Sequence, residues 1–234
     1  MQNAFNWFLQ FGPWGFIAVI AVVVVGFAAL AVYSSWQRAK ALQELAESLG
    51  FEFQPKVGLD FIKRIPKFQL LTAGHSHVVR NVLSGSSEST QVMIFDWQFT
   101  TGGGKNSTTY LTTIAAIQSV ELDLSPFYLR PETVFDWLGM TFDGRDIDFE
   151  DRPIFSKKFH LHGNNEKQIR RMFDLEVCEF FERHEGFYAE GHREWLIFYK
   201  YGKSVSPQKV QDHFKDAFAL YVLLKDRSSE PEVS

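Results

Sequence analysis

The sequence predicts an α+β protein, in which an N-terminal transmembrane helix precedes a mostly antiparallel sheet packed with two long helices. Three observations predict this class. The first 37 residues contain no Asp, Glu, Lys or Arg. Strand-like segments rich in β-branched and aromatic residues follow, with Gly- and Ser-rich turns between them. Two later segments carry apolar residues at helical spacing. We therefore expect a tail and transmembrane helix over residues 1–37, a soluble domain over residues 38–226 and a disordered tail over residues 227–234.

The apolar run is the most informative segment. Between Phe16 and Val32 the chain is almost entirely Ile, Val, Ala, Phe and Leu. A helix satisfies its own backbone hydrogen bonds, so a run of this length is stable in hydrocarbon. We predict that residues 16–33 cross the bilayer once.

Aromatic and basic residues at the ends of this run predict its depth and direction. Trp14 and Trp36 stand roughly 33 Å apart along a helix, which places both indoles at the level of the headgroups. Lys and Arg follow the run and do not precede it. This asymmetry predicts a single-pass protein of the bacterial inner membrane with its C-terminal domain in the cytoplasm. The expected interface residues are Trp14, Tyr33, Trp36, Arg38 and Lys40.

A cleavable signal peptide is the rival interpretation of the N-terminus. Such a peptide has a basic start, a shorter apolar core and a small-residue cleavage site. This chain begins Met-Gln-Asn-Ala-Phe-Asn-Trp and continues after the core as Tyr33-Ser-Ser-Trp-Gln-Arg. These features favour an uncleaved anchor.

Composition excludes two classes of protein. With 24 Lys and Arg against 28 Asp and Glu, the formal charge is −4, so the chain lacks the basic balance of a nucleic-acid-binding protein. Cys178 is the only cysteine, so no intrachain disulfide can form. A domain stapled by disulfides is excluded, and a reducing compartment fits the sequence.

The first half of the domain is predicted to be rich in strands. The membrane helix continues through Leu49 and stops at Gly50, which suits a left-handed cap. An antiparallel meander follows. Its predicted strands are Val78–Leu83, Gln91–Thr100 and Thr108–Gln118. A further candidate strand is Phe127–Arg130, which lies between Pro126 and Pro131.

The second half is predicted to alternate between helices and strands. Asn165 caps one long helix, and Ser206-Pro207 opens the last one. The other predicted elements are a short helix at Glu132–Leu138, a strand at Phe155–His162, the capped helix at Glu166–Arg183, and a hairpin of Phe187–Glu190 and Glu194–Tyr201 turning at Gly191-His192.

Two His-X-His pairs are the candidate metal ligands, although they are weak ones. Residues two apart on a strand point the same way, so two pairs together offer four imidazoles to an ion such as zinc. In the second pair Phe159 and Leu161 take the inward face, so His160 and His162 fall on the outer face with Lys158, a pattern typical of a solvated strand face. The candidates are His75, His77, His160 and His162.

Three further motifs have non-catalytic interpretations. The acidic residues from Asp143 to Asp151 lack the order of a calcium loop and fit a solvated loop paired with Arg145 or Arg152. Gly102–Lys105 lacks the helix that a phosphate-binding loop needs, and so predicts a hairpin tip. Cys178 lies mid-helix, where inert thiols are common. We predict no catalytic residue and no cofactor.

Several segments resemble a family of uncharacterised bacterial proteins that have one N-terminal transmembrane helix and an α+β domain, a domain of unknown function. The matching segments are Phe95–Lys105 (FDWQFTTGGGK), Phe127–Glu132 (FYLRPE), Asp146–Phe149 (DIDF) and Pro153–Ser156 (PIFS). The resemblance covers most of the chain after residue 36. It implies the architecture and assigns no catalytic residue.

The leading functional hypothesis is a membrane-anchored, non-enzymatic protein whose domain binds a partner protein or the membrane surface. Polar residues expected in turn regions near the sheet edge motivate it, namely Asp96, Lys105, Arg130 and Asp148. Two alternatives stay open. One is a metal-dependent or hydrolytic enzyme that uses the histidines or the acidic segment. The other is a membrane-tethered sensor of a small ligand, which needs a largely apolar pocket.

Overall fold

The computed structural model describes the backbone of residues 12–132 and 145–228. It describes the side chains of residues 17–132 and 146–228. The chain divides into two compact units, Met1–Ala41 and Leu42–Ser234.

A single helix, α1, runs over Gly12–Leu49. It confirms the prediction that the apolar helix continues to Leu49. Gly50 follows with a φ of +69°, the left-handed conformation that glycine adopts at low cost. Leu42 and Ala46, near the end of α1, are buried in the core of the second unit.

Nine strands of the described residues form one sheet in which all neighbouring strands are antiparallel, which confirms the predicted fold class. The spatial order is β1-β2-β3-β4-β9-β8-β5-β7-β6. The strands are β1 Glu52–Val57, β2 His75–Ser86, β3 Thr90–Thr101, β4 Thr108–Ser119, β5 Leu124–Pro131, β6 Arg145–Asp146, β7 Phe159–Gly163, β8 Tyr188–Arg193 and β9 Trp195–Tyr199.

The described helices after α1 are α2 Gln69–Thr72, α3 Pro153–Lys158, α4 Glu166–Met172, α5 Leu175–Arg183 and α6 Pro207–Ser228, and two 3-10 turns lie at Leu59–Arg64 and Gly104–Asn106. The three predicted meander strands are present as β2, β3 and β4. The additional strand predicted at Phe127–Arg130 is present within β5, which pairs with β7 and β8 and so lies outside the meander. Strand β1 and the segment of short turns after it had not been predicted. The helix predicted at Glu132–Leu138 lies outside the described residues from position 133 onward.

Two predicted elements of the second half are wrong in part. The strand expected over Phe155–His162 is helical up to Lys158, because Pro153 at the first helical turn suits a helix start. The helix expected over Glu166–Arg183 is two helices, since the Asp174 side chain accepts a hydrogen bond from the Val177 N–H and begins α5 anew. Asn165 caps α4 as predicted by accepting from the Gln168 N–H.

The turn of the last hairpin also differs from the prediction. Gly191 and His192 pair within the β8–β9 ladder, and the chain reverses at Arg193 and Glu194. Arg193 has a φ of +53°, as a tight hairpin turn requires. Helix α6 starts at Pro207 as predicted and continues through Ser228, two residues into the predicted disordered tail; the other six residues of that tail lie outside the described residues.

The two sides of the sheet bury different sets of side chains. One side, which we call the helix face, packs against α3 to α6 and the end of α1 through an apolar cluster rich in Phe. The other side, the tyrosine face, packs in part against the segment from Ile65 to Ala73. Its buried aromatic residues include Phe95, Trp97, Phe99, Tyr128, Tyr188, Trp195 and Tyr199.

Candidate functional site

The apolar side chains of α1 face solvent rather than protein. Val22, Phe27 and Val32 are 70–72% exposed, and Ile17–Leu49 is the one helix of the described residues that is long and apolar enough to cross a membrane. Burial inside the protein therefore does not account for their apolar character, and the helix has the length and composition that suit a membrane.

Four of the five predicted interface residues lie at the C-terminal end of this apolar stretch, namely Tyr33, Trp36, Arg38 and Lys40. The Tyr33 and Trp36 rings have centroids 6.4 Å apart, and the Lys40 Nζ lies 5.8 Å from the centroid of the Trp36 ring. The Gln37 side chain donates a hydrogen bond to the Tyr33 hydroxyl at 2.5 Å. Trp14 belongs to α1, but its side chain lies outside the described residues. The arrangement combines aromatic rings with a cation, the composition found at membrane interfaces.

The first histidine pair does not present two parallel imidazoles. Ser76, between the two histidines, has a φ of +56°, and the β2–β3 register shifts between His75 and Val78. The His75 ring contacts the Ser76 hydroxyl and the Gly102 carbonyl, whereas the His77 ring lies against Trp97 and bonds to the Ala73 carbonyl. Each ring is occupied by its own local contacts.

The second histidine pair lies on a regular strand. Along β7 the residues alternate between buried and half-buried, with His160 and His162 on the half-buried side. Their rings are nearly parallel, with centroids 6.1 Å apart, and the Tyr128 ring is nearly parallel to His162 at 6.4 Å. This face is the tyrosine face and not an open solvated surface.

Two carboxylates reach the second pair. Asp146 on β6 is the register partner of His162, and its Oδ2 lies 2.7 Å from the His160 Nδ1. The Glu132 carboxylate contacts the other nitrogen of the same ring, Nε2. Asp146, His160 and His162 each offer one ligand atom, and these atoms lie within 4.8 Å of one another.

The structure does not bring the two histidine pairs together. Strand β2 is second and β7 is eighth in the order of the nine strands, so five strands separate the pairs. Adjacent strands are about 4.8 Å apart, which separates the pairs by tens of ångströms. A site built from all four imidazoles is therefore not formed.

The remaining motifs of the sequence have structural roles. In the acidic segment Asp151 pairs with Arg152 at 3.4 Å, and among its described members Asp146 is the one that reaches the histidines. Gly102–Lys105 connects β3 and β4 as the predicted hairpin tip, with Gly102 at a φ of +76°. The prediction that Asp96 lies near a turn is wrong, because it is 2% exposed in mid-strand and accepts hydrogen bonds from Asn81 and Thr113.

The Cys178 thiol is buried and donates to the Phe173 carbonyl at 3.4 Å. Burial raises its pKa to about 12. A thiol protonated to this degree is a poor nucleophile, as the sequence predicted.

Sequence reasoning missed the buried carboxyl of Glu190. It accepts hydrogen bonds from the backbone N–H groups of Gln69 and Leu70 and from the Tyr199 hydroxyl, at 2.5, 3.1 and 2.8 Å. Burial raises its pKa to about 7, against the opposing effect of these three donors. The alternating pattern of the strand does not single out Glu190 as a buried carboxyl, because its hydrogen-bond partner Leu70 lies 120 residues away in the chain.

The helix face holds a second missed group, His213 of α6. Its ring is 3% exposed and lies against Phe198 and Phe187, with centroids 5.7 and 5.8 Å away. Burial, together with the smaller effect of the positive charge of Lys200, lowers its pKa to about 4. A helical spacing alone does not distinguish such a core histidine from an exposed one.

No known protein-family profile matches this chain, and no curated protein matches it. Among solved structures it is similar to the crystal structure of the mycobacterial trehalose monomycolate transport factor A, TtfA, with a TM-score of 0.57 and 15% sequence identity. The match covers 83% of this chain and 98% of that chain. At this identity the likeness establishes a shared fold.

Proposed function

We propose that this chain is a non-enzymatic, membrane-anchored accessory protein whose folded domain binds a partner protein at the membrane. The observation that carries the proposal is the fold shared with a protein named as a transport factor, over nearly the whole length of that protein. That protein is named for the transport of trehalose monomycolate.

The exposed apolar helix supports the anchoring part of the proposal. Residues 16–33 supply the spanning segment, with Tyr33, Trp36, Arg38 and Lys40 at one interface. Basic residues after the span favour a cytoplasmic domain in a bacterial inner membrane, with the chain crossing once. A reporter enzyme active only in the cytoplasm, fused after Ser234, should be active. Activity only for a reporter that works outside the cell would reverse this orientation.

Crosslinking in intact membranes tests the partner. The full chain, carrying an affinity tag, is crosslinked before solubilisation, and the recovered proteins are identified. We expect a membrane-associated protein to be recovered in fixed ratio to the tagged chain. Recovery of the tagged chain alone, with or without lipid, would contradict partner binding.

A matched control separates the domain from the anchor. Replacing residues 16–33 by leucines keeps an apolar helix of the same length and removes the anchor's own side-chain pattern. If the domain makes the contact, this variant recovers the same partner at the same ratio. Loss of the partner would place the contact in the membrane and overturn the role proposed for the domain.

A further inference from the structure

We propose that Asp146, His160 and His162 form a binding site for a divalent transition-metal ion, for which Zn²⁺ is the probe. This site is independent of partner binding. It lies at the edge of the sheet, on the tyrosine face, and uses ligands from β6 and β7.

The backbone places the three ligands on one side of the sheet. In a regular strand residues two apart share a face, so His160 and His162 project together. Directly paired residues of antiparallel strands also share a face, and Asp146 is paired with His162. The pairing of the two strands therefore brings Asp146 beside two histidines that lie 14 and 16 positions later in the chain.

The spacing of the ligand atoms suits one ion after small adjustments. Zinc bonds of about 2.0–2.2 Å in a tetrahedral arrangement place ligand atoms about 3.3 Å apart. The three ligand atoms here lie within 4.8 Å of one another, and the His160 Nδ1 and Asp146 Oδ2, which are hydrogen-bonded at 2.7 Å, need to separate slightly to admit the ion. Asp146 can adjust because β6 is a two-residue strand at the edge of the sheet.

Glu132 gives His160 the orientation of a metal ligand. Histidines that bind metals usually donate their second ring N–H to a carboxylate, which fixes the tautomer and raises the basicity of the ligating nitrogen. The Glu132 carboxylate contacts the His160 Nε2 and can accept its proton in a hydrogen bond, while an ion bound at Nδ1 would replace the proton that Nδ1 shares with Asp146. One carboxylate thus acts as a ligand and the other positions the imidazole.

The donor set selects the class of ion. Two imidazole nitrogens and one carboxylate favour zinc, iron, nickel or copper over Mg²⁺ and Ca²⁺, which prefer oxygen ligands. The His160 and Asp146 side chains are 26% and 37% exposed, so an ion can enter from solvent. Three protein ligands leave a fourth position for water or another ligand.

Zinc titration of the purified full chain in detergent tests the site, with bound metal measured by equilibrium dialysis and elemental analysis. We expect one Zn²⁺ per chain and no stoichiometric Mg²⁺. The double variant His160→Gln/His162→Gln should lose the bound zinc. The matched double variant His75→Gln/His77→Gln, which removes the other pair, should keep it.

Two single variants separate ligation from structural damage. Asp146→Asn changes a half-exposed side chain on the edge strand, so the fold measured by circular dichroism should persist while zinc affinity falls. Glu132→Gln should weaken binding by about 10- to 100-fold, the effect of removing a carboxylate that orients a ligand. Less than one Zn²⁺ per wild-type chain, or equal binding by the His160→Gln/His162→Gln variant, would overturn the site.

Discussion

The two faces of the sheet bury titratable groups of opposite behaviour. On the helix face, His213 lies among phenylalanines and its pKa falls to about 4. On the tyrosine face, Glu190 is enclosed and its pKa rises to about 7. In both cases desolvation penalises the charged form, which is the cation in one group and the anion in the other.

The coverings of the two faces explain the difference. The helix face is covered in part by α6, a helix of 22 residues that satisfies most of its own backbone groups and packs on the sheet through apolar side chains. The tyrosine face is covered in part by a short irregular segment, and the first N–H groups of the four-residue helix α2 have no intrahelical partner. Glu190 supplies that partner. A buried carboxyl is therefore the consequence of covering a sheet with irregular backbone.

Truncating the aromatic core of the helix face should have the largest effect on stability. The buried Phe173 ring contacts Phe127, Phe155 and Phe181. Phe173→Ala leaves a cavity among these rings and should lower the free energy of unfolding by about 3–5 kcal/mol. Urea unfolding of the full chain in detergent, followed by Trp fluorescence, measures this.

The matched control is Phe218→Ala on α6, since Phe218 is 40% exposed. Its cost should stay below about 1 kcal/mol, as for other partly exposed positions. Equal costs for the two substitutions would show that the helix face is not the packed core.

Glu190 should give the protein a stability that falls as pH rises. Its folded pKa of about 7 exceeds the ordinary 4.5, so the folded state retains a proton that the unfolded state has lost. This contribution is complete below pH 4.5 and is lost as pH rises through 7. Relative to Glu190→Gln, wild-type stability should fall by about 3 kcal/mol between pH 4.5 and pH 8. A difference that is flat over this range would contradict the assignment.

His213 should give the protein a stability that falls as pH decreases, the opposite of the effect of Glu190. Its folded pKa of about 4 lies below the ordinary 6.5, so the unfolded state takes up a proton that the folded state excludes. The contribution is present above pH 6.5 and is lost as pH falls toward 4. Relative to His213→Leu, wild-type stability should decrease by about 3 kcal/mol over that interval. Both variants, unfolded in urea at several pH values, show whether the two faces respond independently.

The smallest expected effects on stability come from removing the hydroxyl groups of two neighbouring tyrosines, Tyr199 and Tyr188. The Tyr199 hydroxyl donates to Glu190 at 2.8 Å, whereas the Tyr188 hydroxyl is buried without a hydrogen-bond partner among the described residues. Tyr199→Phe should cost about 1–2 kcal/mol, and Tyr188→Phe should be neutral or stabilising by up to about 1 kcal/mol. Equal losses in thermal unfolding would mean that the Tyr188 hydroxyl has a partner.

Local sequence patterns predicted much of this fold. The meander strands, the end of α1 at Gly50 and the start of α6 at Pro207 all follow from alternation, capping and turn chemistry. The break at Asp174 was missed because the apolar spacing continues through it, although Asp is a preferred cap residue.

Contacts distant in sequence were beyond those patterns. The His-X-His spacing is identical at His75 and His160, yet only the second strand is regular and has carboxylates beside it. The positive φ at Ser76 disrupts the strand that carries the first pair, and the pairing of β6 with β7 brings Asp146 to the second pair. Neither feature is visible in a local sequence pattern. The same reason hid Glu190, whose partners lie on a distant helix.

Membrane extraction at alkaline pH tests the central claim most directly. The full chain should remain in the membrane pellet, and the variant Val23→Lys/Phe27→Lys, with two charges in the apolar helix, should appear in the supernatant while its domain stays folded. Wild-type chain released to the high-speed supernatant would contradict membrane anchoring, and with it the role proposed for the domain.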